Sequence, residues 1–253
     1  MSKIIVLANQ KGGIGKSSCT RELGIYLSSL GKQVCLVDTD PQANLTKSLI
    51  DNSSSGLFEA LTGKEWVFEQ INDKLNILPG SISCAGLERS LVAEIDCYTR
   101  IKDLLCDKSF EKFDYILIDS PPSLSVMTIN ALTASDYLLI PMKPSQYCMQ
   151  GTNDLISTVS KVKKTLNPEL KIAGVIINEF ERNPVIVREI TKEIEEAFGN
   201  CVFSTRISKA IAFEEVISTK QGIIERKNRS SEEIRLIGDE LISRIENGLS
   251  YAV

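Results

Sequence analysis

Five stretches of the chain are short, apolar and rich in β-branched residues: KIIVLA at 3–8, QVCLVD at 33–38, YILIDS at 115–120, YLLIPM at 137–142 and IAGVIIN at 172–178. The last four run almost without a polar break, the pattern of strands buried on both faces of a parallel sheet. Between the five, apolar positions recur at helical spacing. Residues 16–30 carry Leu23, Leu27 and Leu30 on one face and meet Gly31 as a stop. Further helices are predicted near 84–106, 123–134, 150–166, 184–198, 209–218 and 230–248. Strands alternating with helices in this way predict an α/β fold, a doubly wound, mostly parallel β-sheet flanked by helices. No internal repeat or low-complexity linker divides the chain. NSSSG at 52–56 reads as a polar loop, and a single domain over 1–253 is expected.

Composition narrows the chemistry. With 253 residues, 43% hydrophobic and 25% charged, the chain can bury a core of its own and looks like an ordinary globular protein. The opening MSKIIVLANQ lacks the apolar stretch and cleavage site of a secretory signal, and no run reaches the ~18 apolar residues of a membrane span. A cytoplasmic protein is expected. The seven cysteines are scattered, odd in number and never spaced as CxxC, so they are read as reduced core thiols rather than a disulfide or metal framework. Histidine is absent. That excludes Ser-His-Asp and Cys-His catalysis and any imidazole metal site, and it leaves acid–base work to carboxylates, lysine, tyrosine or cysteine. The net charge of −4 argues mildly against bulk nucleic-acid binding but leaves room for a local basic patch.

The loop QKGGIGKS at 10–17 joins the first strand to the first helix. Gly12, Gly13 and Gly15 let backbone approach phosphate oxygens, and the helix start adds free N–H groups. Lys16 would reach the β- and γ-phosphates, and Ser17 would put its hydroxyl on Mg²⁺. The loop departs from the usual GxxxxGK[ST]: Gln10 occupies the first glycine position and Lys11 follows it. Lys16 already serves the phosphates from within. Lys11 is therefore either a solvated surface lysine or a group that points outward, crosses to a second subunit and neutralises that subunit's nucleotide, as an arginine finger does in trans. Three aspartates end strands: Asp38 and Asp40 after the second, Asp119 after YILI. Ligands of parallel α/β sheets sit at the carboxyl ends of strands, so all three are expected near the loop. Asp119 suits a carboxylate that holds Mg²⁺ through its water shell.

ANQKGGIGKSS resembles the deviant Walker A motif of the ParA/MinD superfamily. VDTDPQAN at 37–44, YILIDSPPS at 115–123, LLIPMKPSQYCMQG at 138–151, VIIN at 175–178 and FSTRI at 203–207 are similar to that family's later motifs, and the ParA (Soj-like) branch fits best. The resemblance implies a P-loop ATPase that binds ATP or ADP with Mg²⁺ along Lys11, Gly12, Gly13, Ile14, Gly15, Lys16, Ser17 and Ser18. It implies that Lys11 is the signature lysine of an ATP-dependent homodimer, that Asp40 positions the attacking water, and that Asp38 lies near the Mg²⁺ shell. Asn178 would read the adenine edge with its amide or be a plain turn residue. Slow intrinsic hydrolysis, reset by a ParB-like activator, and chromosome or plasmid partition on the nucleoid are the implied biology. Non-specific DNA binding would fall to Arg206, Lys209 and Lys220, beside the locally basic KQGIIERKNR at 220–229. A MinD-like membrane or protein-cargo ATPase is the alternative. The closing RLIGDELISRIENGLSYAV mixes acidic and basic residues on its polar face, so no membrane docking is expected. The scattered cysteines also lack the paired spacing that a cluster-carrier relative would need.

Overall fold

The computed structural model describes residues 2–253 except 147, 182, 183, 250, 252 and 253. Tyr147 of the LLIPMKPSQYCMQG segment and the last residues of the C-terminal segment therefore lie outside the described residues. One seven-stranded sheet organises the chain. Its strands are β1 (Lys3–Leu7), β2 (Val34–Asp38), β3 (Glu69–Asn72), β4 (Leu75–Leu78), β5 (Tyr115–Asp119), β6 (Tyr137–Met142) and β7 (Lys171–Ile177), in the order β3-β4-β2-β5-β1-β6-β7. All pairings are parallel except β3 with β4. The helices are α1 (Lys16–Ser29), α2 (Asn44–Leu49), α3 (Leu57–Leu61), α4 (Cys84–Leu91), α5 (Arg100–Leu105), α6 (Val126–Ala134), α7 (Cys148–Thr165), α8 (Val185–Phe198), α9 (Ala212–Thr219) and α10 (Arg229–Glu246).

The expected five strands and the doubly wound architecture are present. Alternate strand residues feed two cores, as a parallel sheet covered on both faces requires. Val6, Val37, Ile118 and Ile140 pack with Met127 and Ala131 of α6 and Leu155 and Val159 of α7. Leu7, Leu36, Leu117 and Leu139 pack with Leu23 and Leu27 of α1 and Ile237 and Leu241 of α10. Leu30, expected on the buried face of α1, is exposed, because the helix ends one residue earlier and Gly31 turns the chain with φ of +82°. Six cysteines are buried, Cys106 is exposed and all are free. Burial pushes the Cys19 thiol up to about 12, in keeping with an inert core residue. Among the described residues no helix is long and apolar enough to cross a membrane.

Two features depart from the sequence reading. The β3–β4 hairpin was not expected, since its strands are four residues each and only β4 is apolar. Asn72 makes the turn: its Oδ1 accepts the backbone N–H of Lys74 at 2.8 Å and of Leu75 at 2.9 Å. The single helix expected over 84–106 is two, α4 and α5. Asn130, buried on α6, brackets the corner between them: its Oδ1 accepts from Ile101 N at 3.2 Å while its Nδ2 donates to the Cys97 carbonyl. A side chain on another element thus anchors the start of α5.

The α1–α10 seam closes over a glycine. At Gly238 a Cβ would lie 2.1 Å from Tyr26 Cδ1. The Tyr26 ring cannot retreat, being buried and donating its hydroxyl hydrogen bond to Asp239. Gly238→Ala should therefore lower stability. Overpacking costs about 1–3 kcal/mol and outweighs the ~1 kcal/mol that alanine gains over glycine in a helix. Urea denaturation of the two proteins checks the sign.

Candidate functional site

The glycine loop is held between three strands. Asn9, just past β1, donates from Nδ2 to the Pro141 carbonyl of β6 at 2.8 Å and accepts the Lys11 N–H at 3.3 Å. Asn178, just past β7, donates from Nδ2 to the Ile14 carbonyl at 2.7 Å. Gly13 and Gly15 take φ of +67° and +81°, where a side chain is strained. At Gly15 a Cβ would also fall 2.1 Å from Asn178 Nδ2, so this residue must be glycine for the strut to form. Gly12 passes Pro122 of the loop after β5 at contact distance. No side chain caps α1. Its first N–H groups remain available to an anion, with the positive end of the helix behind them.

Lys16 and the three aspartates are brought together as the sequence implied. The register pairs Asp38 with Asp119 across β2 and β5. Lys16 is 7% exposed, and its Nζ donates to the Lys11 carbonyl at 3.2 Å. Burial lowers the Lys16 pKa, opposed by the charges of Asp119 and Asp40. Asp119 is wholly buried and neither carboxylate oxygen has a hydrogen-bond partner among the described residues. Burial holds its pKa well above the usual carboxylate range, reinforced by Asp38, while the nearby Ser17 hydroxyl and Lys16 pull it down without satisfying either oxygen. A buried, orphaned carboxylate is costly unless something arrives to pair with it. A divalent cation held by Ser17 and Asp119 would meet that need, so these residues fit Mg²⁺. Among the described residues no group of three or more cysteines or carboxylates gathers as a ready metal cage, so phosphate oxygens and water would complete the shell.

Asp38, set beside Asp119 by the strand register, is also tied into the loop that follows it. Its Oδ2 accepts from Thr46 N at 2.9 Å and Thr46 Oγ1 at 2.7 Å, and its Oδ1 accepts from Asp40 N at 3.2 Å. It shapes the loop from β2 to α2. Asp40 is in turn oriented by accepting Gln42 N at 2.8 Å. Thr46, which sequence reasoning missed, lies eight residues beyond Asp38 with no motif to mark it. Lys11 folds onto the segment after β6: its Nζ donates to Ser145 Oγ at 2.8 Å and to the Gln146 carbonyl at 3.3 Å.

Ser18, Gly15 and Asn178 border a cleft of ≈ 160 Å³ whose apolar walls are Ile207, Phe213 and Ile217. The expected DNA residues do not form one cluster of free cations. Arg206 pairs with Glu195 and stacks on Phe180, Lys209 pairs with Glu181 at 3.0 Å, and Lys220 pairs with Asp51. Arg226, Lys227, Arg229 and Arg235 instead line an open hollow at the start of α10. Arg226 and Arg229 there pair with Glu215 and Glu233, whereas Lys227 and Arg235 have no carboxylate partner among the described residues.

A family model described as an AAA domain matches residues 2–172. The sporulation initiation inhibitor protein Soj of Bacillus subtilis is 36% identical over 237 residues, covering 91% of this chain and 93% of that protein. The chromosome partitioning protein ParA of Myxococcus xanthus is 32% identical over 253 residues, covering 96% and 89%. The chain belongs to the ParA/Soj family of partition ATPases. Its fold is that of P-loop ATPases. The solved structure of cobyrinic acid a,c-diamide synthase from Mycobacterium smegmatis, with bound ADP and magnesium, superposes at a TM-score of 0.86 with 26% identity, covering 100% of this chain and 99% of that one.

The buried Asp38 makes a pH prediction. Burial lifts its pKa from 3.8 to about 6 against the Thr46 and Asp40 bonds that lower it. The folded value lies above the unfolded one, so the contribution to stability is full below the unfolded value and is lost as pH rises through the folded one. Asp38→Asn, uncharged throughout, should destabilise the fold by breaking the Thr46 bonds. Its deficit against the parent should shrink by on the order of 2 kcal/mol between pH 4 and pH 7, read from urea midpoints at the two pH values.

Proposed function

We propose that this ParA/Soj-family chain is a nucleotide-driven partition switch. It binds ATP with Mg²⁺, closes as a homodimer over two nucleotides, and in that state binds DNA without sequence preference. A ParB-like activator then stimulates hydrolysis and release. Two lysines on one glycine loop, over a buried unpartnered aspartate, are the observation that carries the reading.

Lys16, buried beside Asp119 and Asp40, binds the β- and γ-phosphates; their charge replaces the solvation it has lost. Ser17 and Asp119 would hold Mg²⁺, which when bound neutralises phosphate charge. Asp40, turned by its bond from Gln42 N, orients the attacking water. With no histidine and no strong base in reach, intrinsic hydrolysis is expected to be slow. Lys11 completes charge neutralisation on the partner's nucleotide, and to do so must leave Ser145 and Gln146. ATP thereby stabilises the dimer by a group that the monomer uses elsewhere. The prolines at 41, 121 and 122 stiffen the two loops that adjoin the phosphates, so a shift there moves as a unit.

For DNA, Arg206, Lys209 and Lys220 would exchange their carboxylate partners for phosphates, and the hollow around Lys227 and Arg235 adds charge already free of such partners. A chain of net charge −4 needs its basic residues concentrated on one face of a dimer to hold DNA. The cellular place implied is the cytoplasm, on the nucleoid.

Lys11→Ala should retain nucleotide binding within a few-fold but lose the ATP-dependent dimer, as read by light scattering with ATP and Mg²⁺. Asp40→Ala should bind ATP, remain dimeric and hydrolyse it at least tenfold more slowly; hydrolysis at the parental rate would remove Asp40 from the mechanism. With Asp40→Ala holding the ATP state, gel shift on random duplex DNA should need ATP. It should weaken at least tenfold between 50 and 200 mM salt if several phosphates are neutralised. A dimer that ignores DNA would point to a membrane or protein cargo instead.

A further inference from the structure

The cleft beside the glycine loop contains a carboxylate that nothing above employs. Glu179 follows Asn178 at the end of β7 and lines that cleft with it. Successive side chains of an extended strand face opposite ways. Glu179 instead takes φ of +51°, the left-handed region that such a residue adopts at a cost of ~1–2 kcal/mol, and both side chains border one cleft. The position is braced. Lys143, just past β6, donates from Nζ to Glu179 Oε2 at 2.6 Å, and both side chains are about one-third exposed (34% and 30%). Glu179 Oε1 has no hydrogen-bond partner among the described residues.

Several donors around the cleft are already engaged. Asn178 Nδ2 holds the Ile14 carbonyl, with Gly15 packed too close for the amide to turn away. Ser208 Oγ donates to Glu233 at 2.7 Å, and Lys209 Nζ donates to Glu181 at 3.0 Å. Asn178 Oδ1 and Glu179 Oε1 remain as acceptors between walls of Ile207, Phe213 and Ile217, with the Ser18 hydroxyl and the Glu214 carboxylate elsewhere on the lining. Such a cleft suits a flat ring with an N–H donor on its edge. Adenine presents its exocyclic amino group there. Guanine and hypoxanthine carry a carbonyl oxygen at the same ring position, which acceptors repel.

We propose that Glu179 selects the base: its free carboxylate oxygen accepts from the adenine amino group, Lys143 holds the carboxylate in place, and Asn178 acts as a strut of the phosphate loop with its oxygen in support. This rests on the reading that the cleft adjoins bound ATP. It assigns discrimination to a residue beyond the one that the sequence suggested.

Competition of ATP, ITP and GTP against a fluorescent ATP analogue, with Mg²⁺ and the full chain, tests it. The parent should prefer ATP over ITP at least tenfold. Glu179→Ala should bring that ratio within about threefold by weakening ATP while leaving ITP within about twofold. Glu179→Asn, which tolerates the left-handed backbone but is too short to reach, should do the same and guards against misfolding of the alanine variant. Glu179→Gln, which keeps an acceptor oxygen, should retain most of the preference. An unchanged ATP-to-ITP ratio in Glu179→Ala or Glu179→Asn overturns the assignment while leaving the nucleotide site intact. A folded parent that binds none of the three nucleotides overturns the ATP reading and this inference with it.

Discussion

The structure is organised around an unfavourable arrangement: Lys16, Asp40 and Asp119 buried together at the carboxyl end of a parallel sheet. Water is excluded, so Asp119 is pushed toward its neutral form and Lys16 away from its charged one. Their mutual attraction offsets only part of the cost of burial. The sheet makes the arrangement unavoidable. Parallel pairing sets Asp38 opposite Asp119, and the loop after β1 lies between β5 and β6 because β1 itself does. A site held in this way is incomplete until a ligand brings charge of its own. That is the condition a nucleotide switch needs.

Around this centre, side chains from distant segments hold loops that could not hold themselves. Asn9 joins the start of the glycine loop to β6, and Asn178 joins its crest to β7. Asp38 gathers Thr46 and Asp40, and Thr46 Oγ1 in turn accepts the Gly80 N–H at 2.9 Å, so the ends of β2 and β4 share one network with the start of α2. At Gly80 a Cβ would lie 2.7 Å from the Asp38 carbonyl oxygen, and the close approach that network needs is open only to glycine. Asp40 and Gly80 are thus joined through Asp38 and Thr46 by hydrogen bonds rather than by loose chain.

The surface follows a different logic. Most basic side chains named in the sequence reading sit beside carboxylates, and exposed pairs of that kind contribute little to stability, ~0–1 kcal/mol each. They are cheap to exchange for phosphates. The interior lysine is not: no surface carboxylate is within its reach, so its partner must come into the site. The same residue types thus occupy opposite environments inside the site and on the surface.

The amino-acid sequence by itself determined the sheet-and-helix alternation, because continuous apolar strands and helical periodicity are local patterns. It also determined the phosphate loop, since left-handed glycines ahead of an uncapped helix are written in consecutive residues. It placed Asp38, Asp40 and Asp119 near that loop, because strand ends of a parallel sheet share one edge. It did not reveal the β3–β4 hairpin, whose strands are too short to show a period, or the break between α4 and α5, where Asn130 anchors the chain from α6. Only the tertiary structure decided what each polar group does. Asp38 is occupied by Thr46, Asn178 by Ile14, Lys11 by Ser145, and Glu179 is left with one oxygen free among the described residues. The Asn178–Ile14 and Lys11–Ser145 bonds, each joining residues more than a hundred positions apart, carry no local signature. Which donor finds which acceptor is fixed when the sheet brings its loops to one edge.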